Sequence, residues 1–457
     1  MPCKRQEAGE RYAFMKHGLL RRAAFVAAIL FAVPGSLLAA PQGLASGDLL
    51  QSYELLTTTY YSKVDIQAML DGVRKALNAE LTRKGAAPSL PAMHARNGAA
   101  ENVSQIAAEI VRAQNATHQP ETDLTYAAIR GMAGALGDQY TAFFTPDEYQ
   151  KFNQALDPEK ISGIGVLIEP DPTTKYIRAF YVVPGTPADR AGIQSGDDFL
   201  TVNGTSTQGL KQEDAVKLLR GASGTVVNLQ IQRSGASLGT IPVTRSDVQP
   251  PTVIYKMLAD HIGYIALLTF GKDTPDQFGM ALNRLNDQGV RGYVIDLRNN
   301  GGGYVNSALD ISSKFINNDP LLTVEERGSR VYTVQAPQTA VPAKPMTILV
   351  NRYTASASEI TAGALQDDGI GVLVGEKTFG KGVMQSLTQL PDGAAIKITT
   401  AHYLTPKNRD INLKGIVPDF AVTENQGARF GDTTNDAQLQ AAIAILTKKI
   451  AASNSGD

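Results

Sequence analysis

Cysteine is almost missing from this 457-residue chain, which holds one, Cys3. One cysteine cannot close an internal disulfide, and Cys3 lies upstream of an export-type segment. A cysteine nucleophile and a cysteine-based metal site are therefore excluded from the folded region. Histidine is scarce as well. The five present, His17, His94, His118, His261 and His402, include no two at helix-face ligand spacing, which argues against a structural zinc site. An excess of either charge is also lacking. With 43 Lys and Arg against 44 Asp and Glu, the chain shows no footprint for nucleic acid and no polybasic membrane patch. What is there is globular: 43% hydrophobic and 19% charged residues, with 42 Gly and 23 Pro, at a length that suits about three domains.

The N-terminus reads as a secretory signal. Arg21 and Arg22 precede the apolar run Ala23 to Val33, and small residues follow to Ala45. That run is too short for a comfortable bilayer span. An uncleaved N-terminal anchor is the other reading, and Met15 offers an alternative start. The expected location is exported, in a periplasm or cell envelope, with residues 1–45 as the signal.

Beyond it, residues 46–152 read as a helical region. Val64, Met69, Leu70, Val73 and Leu77 recur at helix spacing, as do Leu124, Ala127, Ile129, Met132 and Leu136. Gly85 to Pro120, rich in Ala, Asn, Gln and Pro, reads as a loose helical insertion. Residues 153–248 carry short β-type runs, the first Ile161–Ile168, with helices at Pro187–Ala191 and Gln212–Leu219. In residues 249–425 strands and helices alternate, which predicts an α/β core with largely parallel strands. Residues 426–457 hold a final amphipathic helix, Asp436–Lys449.

Four motifs invite a chemical reading, and two fail on context. Gly235-Ala236-Ser237-Leu238-Gly239 has the letters of a nucleophile elbow, but it joins two β-runs, whereas the elbow needs a strand-to-helix turn. Gly375 to Gly382 nearly matches a phosphate-binding loop, yet Gly382 replaces the hydroxyl residue and a β-run follows. Lys381 survives from it, embedded after a buried strand. Ser356, in Thr354-Ala355-Ser356-Ala357-Ser358-Glu359, opens a helix directly after the strand Thr347–Val350. Free N–H groups there suit an oxyanion, while helix capping by Ser356 or Thr354 with Glu359 is the plainer alternative. Asp296 to Gly303 also links a strand to a helix, and its three glycines point to close backbone approach. A serine nucleophile needs a base; neither His261 nor His402 has a triad context, and a buried lysine can serve.

Together these residues resemble the C-terminal processing peptidases, or tail-specific proteases, from about Leu124 to Phe420. Ala128–Met132 and Tyr140–Phe144 look like the family's helical lead-in. Pro187 to Asp197 matches a stretch of its PDZ domains. Thr399-Thr400-Ala401, Tyr403, Thr405-Pro406 and Gly415 to Asp419 look like its ending. The resemblance implies an α/β protease core, crotonase-like and containing a parallel sheet, with an inserted PDZ domain and an N-terminal helical region. It puts the nucleophile on Ser356, the general base on Lys381 and the lysine-orienting residue on Gln385. The oxyanion hole falls on Gly302 and Ala357, and the carboxylate-binding loop on Gly163, Ile164, Gly165 and Val166. Arg220 is a weaker candidate for passing tail binding to the cleft.

The implied activity is an exported serine endopeptidase that cuts proteins near free C-termini, without cofactor or metal. A homodimer or an adaptor is left open, as is membrane tethering through an uncleaved signal. The rival is a catalytically inactive PDZ peptide-binding scaffold. Two departures from the family pattern stand out: Gly301 where proline is usual, and Asn408 where glycine is usual, the latter tolerable because Asn adopts left-handed backbone.

Overall fold

A computed structural model describes residues 44–328, 330–337, 344–425 and 431–454. The expected signal, apart from its last two residues, lies outside them. Helices α1 (Leu44–Thr59), α2 (Ile66–Arg83), α3 (Ala99–Thr117) and α4 (Glu121–Gly134) form the first layer. The predicted apolar stripes are its core: Met69, Leu70, Val73 and Leu77 of α2 and Leu124, Ile129 and Met132 of α4 are buried. Where α2 crosses α4, backbone meets backbone. A Cβ built on Gly72 would lie 2.4 Å from the Gly131 carbonyl oxygen.

The stretch expected as a loose insertion holds α3, which is packed rather than loose. Its Ile106, Ile110 and Ala113 are buried in the helical core, and Asn102 donates to the Tyr53 hydroxyl at 2.9 Å. Only a few large apolar residues are needed on a helix that lies in a groove, so its periodicity is faint. Strand β1 (Ala142–Phe144) and helix α5 (Pro146–Leu156) follow. Helix α5, opened by a Thr145–Glu148 capping box, runs across the expected 152/153 boundary.

The middle domain contains β2 (Ile161–Gly163), β3 (Val166–Pro170), β4 (Ile177–Val182), α6 (Pro187–Arg190), β5 (Asp198–Val202), β6 (Thr205–Ser206), α7 (Gln212–Leu219), β7 (Val226–Arg233), β8 (Ala236–Thr244) and β9 (Ser246–Val248). The run expected as one strand, Ile161–Ile168, breaks at Gly165. Its φ is 82°, and a Cβ there would meet Thr186 at 2.3 Å. Strand β2 then pairs with β9, while β3 takes the edge of the sheet β3-β4-β5-β7-β8. Ile168, Ile177, Phe199, Leu229 and Ile231 fill its core.

The core domain adds β10 (Val253–Met257), β11 (Ile262–Leu267), α8 (Thr274–Asp287), β12 (Gly292–Asp296), α9 (Val305–Ser312), β13 (Pro320–Glu326), β14 (Arg330–Gln335), β15 (Met346–Val350), α10 (Ala357–Asp367), β16 (Gly371–Gly375), β17 (Val383–Gln389), β18 (Ala395–Leu404), β19 (Phe420–Ala421) and α11 (Ala437–Asn454). One sheet runs β10-β11-β12-β15-β16-β19, parallel except for β10. Its central strands β11, β12 and β15 are buried on both faces, as helices on each side require. Ile265, Ile295 and Ile348 face the layer of α8, α9 and α10, whereas Tyr264, Val294 and Leu349 face α11. Helix α11 thus belongs to the core and is no separate tail.

The expectation of largely parallel strands misses a second, antiparallel sheet. It runs β1-β18-β13-β14, with β17 also on β18. Through β1 the helical region contributes a strand to the core, so these two parts share one structure.

Candidate active site

A cleft of about 550 Å³ opens between the two sheets. Ser356, Lys381, Gln385 and Gly302 all line it. Ser356 leaves β15 and enters α10 with φ 57° and ψ −120°. A non-glycine residue is held there only when its surroundings over-determine it. They do. Ala355 N–H donates to the Asn300 carbonyl at 3.1 Å, and Ser358 Oγ donates to the same oxygen at 2.9 Å. Thr354 Oγ1 reaches the Leu297 carbonyl at 2.9 Å. Tyr403 Oη lies 3.2 Å from the Ser356 carbonyl and 2.8 Å from that of Lys381, bracing both loops from below.

Glu359 does more than cap a helix. Fully buried, its carboxylate accepts from the N–H groups of Ser356 (2.9 Å), Gly380 (2.8 Å) and Lys381 (2.8 Å), and from Thr378 Oγ1 (2.5 Å). Burial pushes its pKa up, and these hydrogen bonds oppose that. One carboxylate therefore ties the Ser356 loop to the Lys381 loop.

Lys381 ends in an apolar corner, its Nζ 5.1 Å from the centre of the Tyr140 ring. Burial, aided by the positive charge of Lys397, pushes its pKa down to about 8, against the pull of Asp138 and Glu359. An ordinary lysine titrates near 10.4. At neutral pH a usable fraction of this amine is free base.

Gly302 and Ala357, the two residues expected to form an oxyanion hole, lie side by side. The Ala357 N–H starts α10, where helix donors have no intrahelical partner. Gly302 is pressed against it: a Cβ would lie 2.8 Å from Ala357 N and 2.9 Å from Ser356 Cβ. The Gly302 N–H itself donates to Asn300 Oδ1 at 2.9 Å. Of the three glycines read as close approach, only two qualify. Gly303 would strike the Phe270 carbonyl at 2.4 Å, but nothing lies within 4 Å of a Cβ on Gly301.

Gln385 lines the cleft from β17 beside Lys381 but does not donate a hydrogen bond to it. Its Nε2 is buried and has no hydrogen-bond partner among the described residues. In the middle domain, Gly163 ends β2, Ile164 is buried with its carbonyl accepting from Ala188 N–H at 2.8 Å, and Val166 begins the edge strand β3. Arg220 is exposed at the C-terminal end of α7. Asn408 adopts φ 58°, as its replacement of glycine requires.

The decoys fall where their context puts them. Ser237 is exposed on β8, beyond a hairpin turn at Ser234 and Gly235 with φ 48° and 85°. Residues 376–382 lead from β16 into β17, with no helix to meet a phosphate. His402 packs on the Tyr61 ring at 4.7 Å, and the His261 ring reaches the Gln288 carbonyl. Among the described residues no His, Cys, Asp or Glu cluster could hold a metal ion. Sequence reasoning missed Lys397, Tyr140, Asn300 and Tyr403. Asn300, Tyr140 and Tyr403 lay inside stretches already singled out, without a role assigned to them.

The chain is similar to known proteins over most of its length. Residues 261–422 match Peptidase family S41, and residues 181–233 match a PDZ domain. A carboxyl-terminal-processing protease of a Picosynechococcus species is 36% identical, over 71% of this chain and 80% of its own. The carboxy-terminal processing protease CtpA of Bacillus subtilis is 32% identical, over 71% of this chain and 72% of its own. The solved structure of a photosystem II D1 C-terminal processing protease aligns with 83% of this chain and 93% of its own, at 27% identity and a TM-score of 0.44.

Proposed function

Because this chain belongs to peptidase family S41, among the carboxyl-terminal-processing proteases, we propose that Ser356 and Lys381 are its nucleophile and general base. Membership makes it a serine peptidase of C-terminal processing, with an α/β protease core and a PDZ domain. The observation that carries the assignment is one cleft holding a serine at a strained helix entry and a lysine with a lowered pKa.

Lys381 takes the proton from Ser356 Oγ as that oxygen attacks the scissile carbonyl. The developing oxyanion is held by the Ala357 N–H and by the Gly302 N–H, which exchanges its Asn300 partner for it. Such a donor is worth about 2.7–4 kcal/mol elsewhere. The protonated lysine gives its proton to the leaving amine, and water then releases the acyl group by the same path. Gln385 orients the amine once substrate closes the cleft.

The substrate's tail is read by the PDZ domain. Strand β3 is at a sheet edge with α7 beside it, which suits an added peptide strand, and the Gly163–Val166 loop receives the terminal carboxylate. The basic flank and apolar run near the N-terminus direct export to a cell envelope. A serine-directed acylating probe tests the assignment: labelling of the wild type, lost in Ser356→Ala, is expected. An unlabelled wild type, or a labelled Ser356→Ala, would overturn it. Amidating the substrate's C-terminus should lower cleavage about tenfold or more.

A further inference from the structure

The catalytic cleft holds a second lysine that this mechanism does not use. Lys397 lies on β18 opposite Leu387 of β17 and Ala142 of β1. Residues opposite one another in a sheet share a face, so Lys397 faces the cleft with Leu387 and Gln385, and it lines the same cavity. Its register is two residues beyond Gln385, which is about 7 Å along the strand.

The surroundings of Lys397 are unusual for a half-buried cation. Its Nζ lies 5.4 Å from the ring centres of both Phe144 and Phe152, which stack on each other at 5.1 Å. No described carboxylate forms an ion pair with it. The acids nearest the two cleft lysines are already engaged: Asp138 accepts from Tyr140 N–H, Thr141 N–H and Thr141 Oγ1, and Glu359 from its four donors. Among the described residues no Asp or Glu lines the cleft. Charges taken even partly out of water are normally paired. Here two half-buried lysines and the Nε2 of Gln385 make a wall of donors with no hydrogen-bond or ion-pair partner among the described residues.

We propose that Lys397 is a carboxylate subsite of the cleft, taking an acidic group of the substrate within about two or three residues of the scissile bond. The aromatic pair holds the ammonium in place, and an incoming carboxylate supplies the counterion that the fold withholds. Burial lowers the Lys397 pKa, and the same carboxylate would raise it again. The acid is an Asp or Glu side chain or the terminal carboxylate of a short tail. The proposal rests on Ser356 being the nucleophile of this cleft.

The test is a peptide series in which one Asp moves residue by residue across the cleavage site. Each peptide has an Asn twin, and each is made as free acid and as amide. Cleavage is measured on the alkaline plateau, where Lys381 is already neutral. Binding is measured in parallel on Ser356→Ala, which needs no chemistry. At one position the Asn twin should bind and react about tenfold more weakly. Lys397→Met should abolish that difference, Lys397→Arg should keep it, and Lys397→Glu should prefer a Lys-bearing twin. If amidation alone reproduces the loss, and Lys397→Met removes the part not due to the PDZ domain, the acid is the terminus. Equal binding of all twins, or discrimination that survives in Lys397→Met, overturns the subsite. Absent cleavage and labelling with discrimination still present in binding would instead reject Ser356 and Lys381 as the catalytic pair.

Discussion

The two walls of the cleft are built in opposite ways. On the Ser356 wall polar groups are spoken for: Ser356 N–H, Ala355 N–H, Ser358 Oγ and Thr354 Oγ1 each have a partner, and one carboxylate takes four donors. On the facing wall they are left open. Lys381 and Lys397 rest on aromatic rings, and Gln385 Nε2 is buried without a partner among the described residues. The fold thus spends its hydrogen bonds on fixing the strained serine, where a small error in position is costly. Withholding partners suits Lys381 to the proposed role of base, because a paired ammonium would keep its proton.

Exchanging the character of one wall should do the most damage. Lys381→Arg keeps a cation but cannot release a proton, so kcat/KM should fall at least about 10⁴-fold, with little change in thermal midpoint. Retained activity would send the base assignment to another group. Gly302→Ala puts a Cβ 2.8 Å from Ala357 N and the Ala355 carbonyl at φ 99°. Acylation should drop by about 10²–10³-fold, the cost of one lost oxyanion donor, while peptide binding to the PDZ domain is unchanged.

Glu359→Gln separates the two walls most cleanly. An amide cannot accept from all four donors, so the thermal midpoint should fall by several degrees, in line with about 2–4 kcal/mol for buried donors left unpaired. Glu359 also raises the Lys381 pKa. Removing its charge should move the acylation profile to lower pH, and an alkaline shift would contradict the electrostatic link. Gly301→Ala should be nearly silent, within about 0.5 kcal/mol, since its Cβ meets nothing within 4 Å.

The same contrast decides what the sequence could reveal. Ser356 and Lys381 were legible because each follows a buried β-run, and because family motifs surround them in order. The letters of Ser237 mislead, since an elbow is a backbone conformation and Ser237 lies past a hairpin turn. Glu359 showed as a cap, but its bonds to Gly380 and Lys381 join segments about twenty residues apart that no local pattern connects. Lys397 gave no signal at all. A lysine in an alternating strand reads as solvent-facing, and only the pairing of β18 with β1 and β17 turns it into the cleft. The antiparallel second sheet was hidden for a like reason. Its hairpin β13–β14 lies in a stretch to which no element was assigned, and β1 comes from the helical region.

Single-turnover acylation of Ser356, followed across pH with a substrate that binds equally at every point, tests the neutral-lysine claim most directly. Lys381 must be deprotonated to act, so the rate should be low in acid and rise tenfold per pH unit. It should level off above a midpoint of about 8. Lys381→Met should remove that dependence together with the activity. A midpoint near the ordinary lysine value of about 10.4, or a rate indifferent to pH in this range, would contradict a base made neutral by burial.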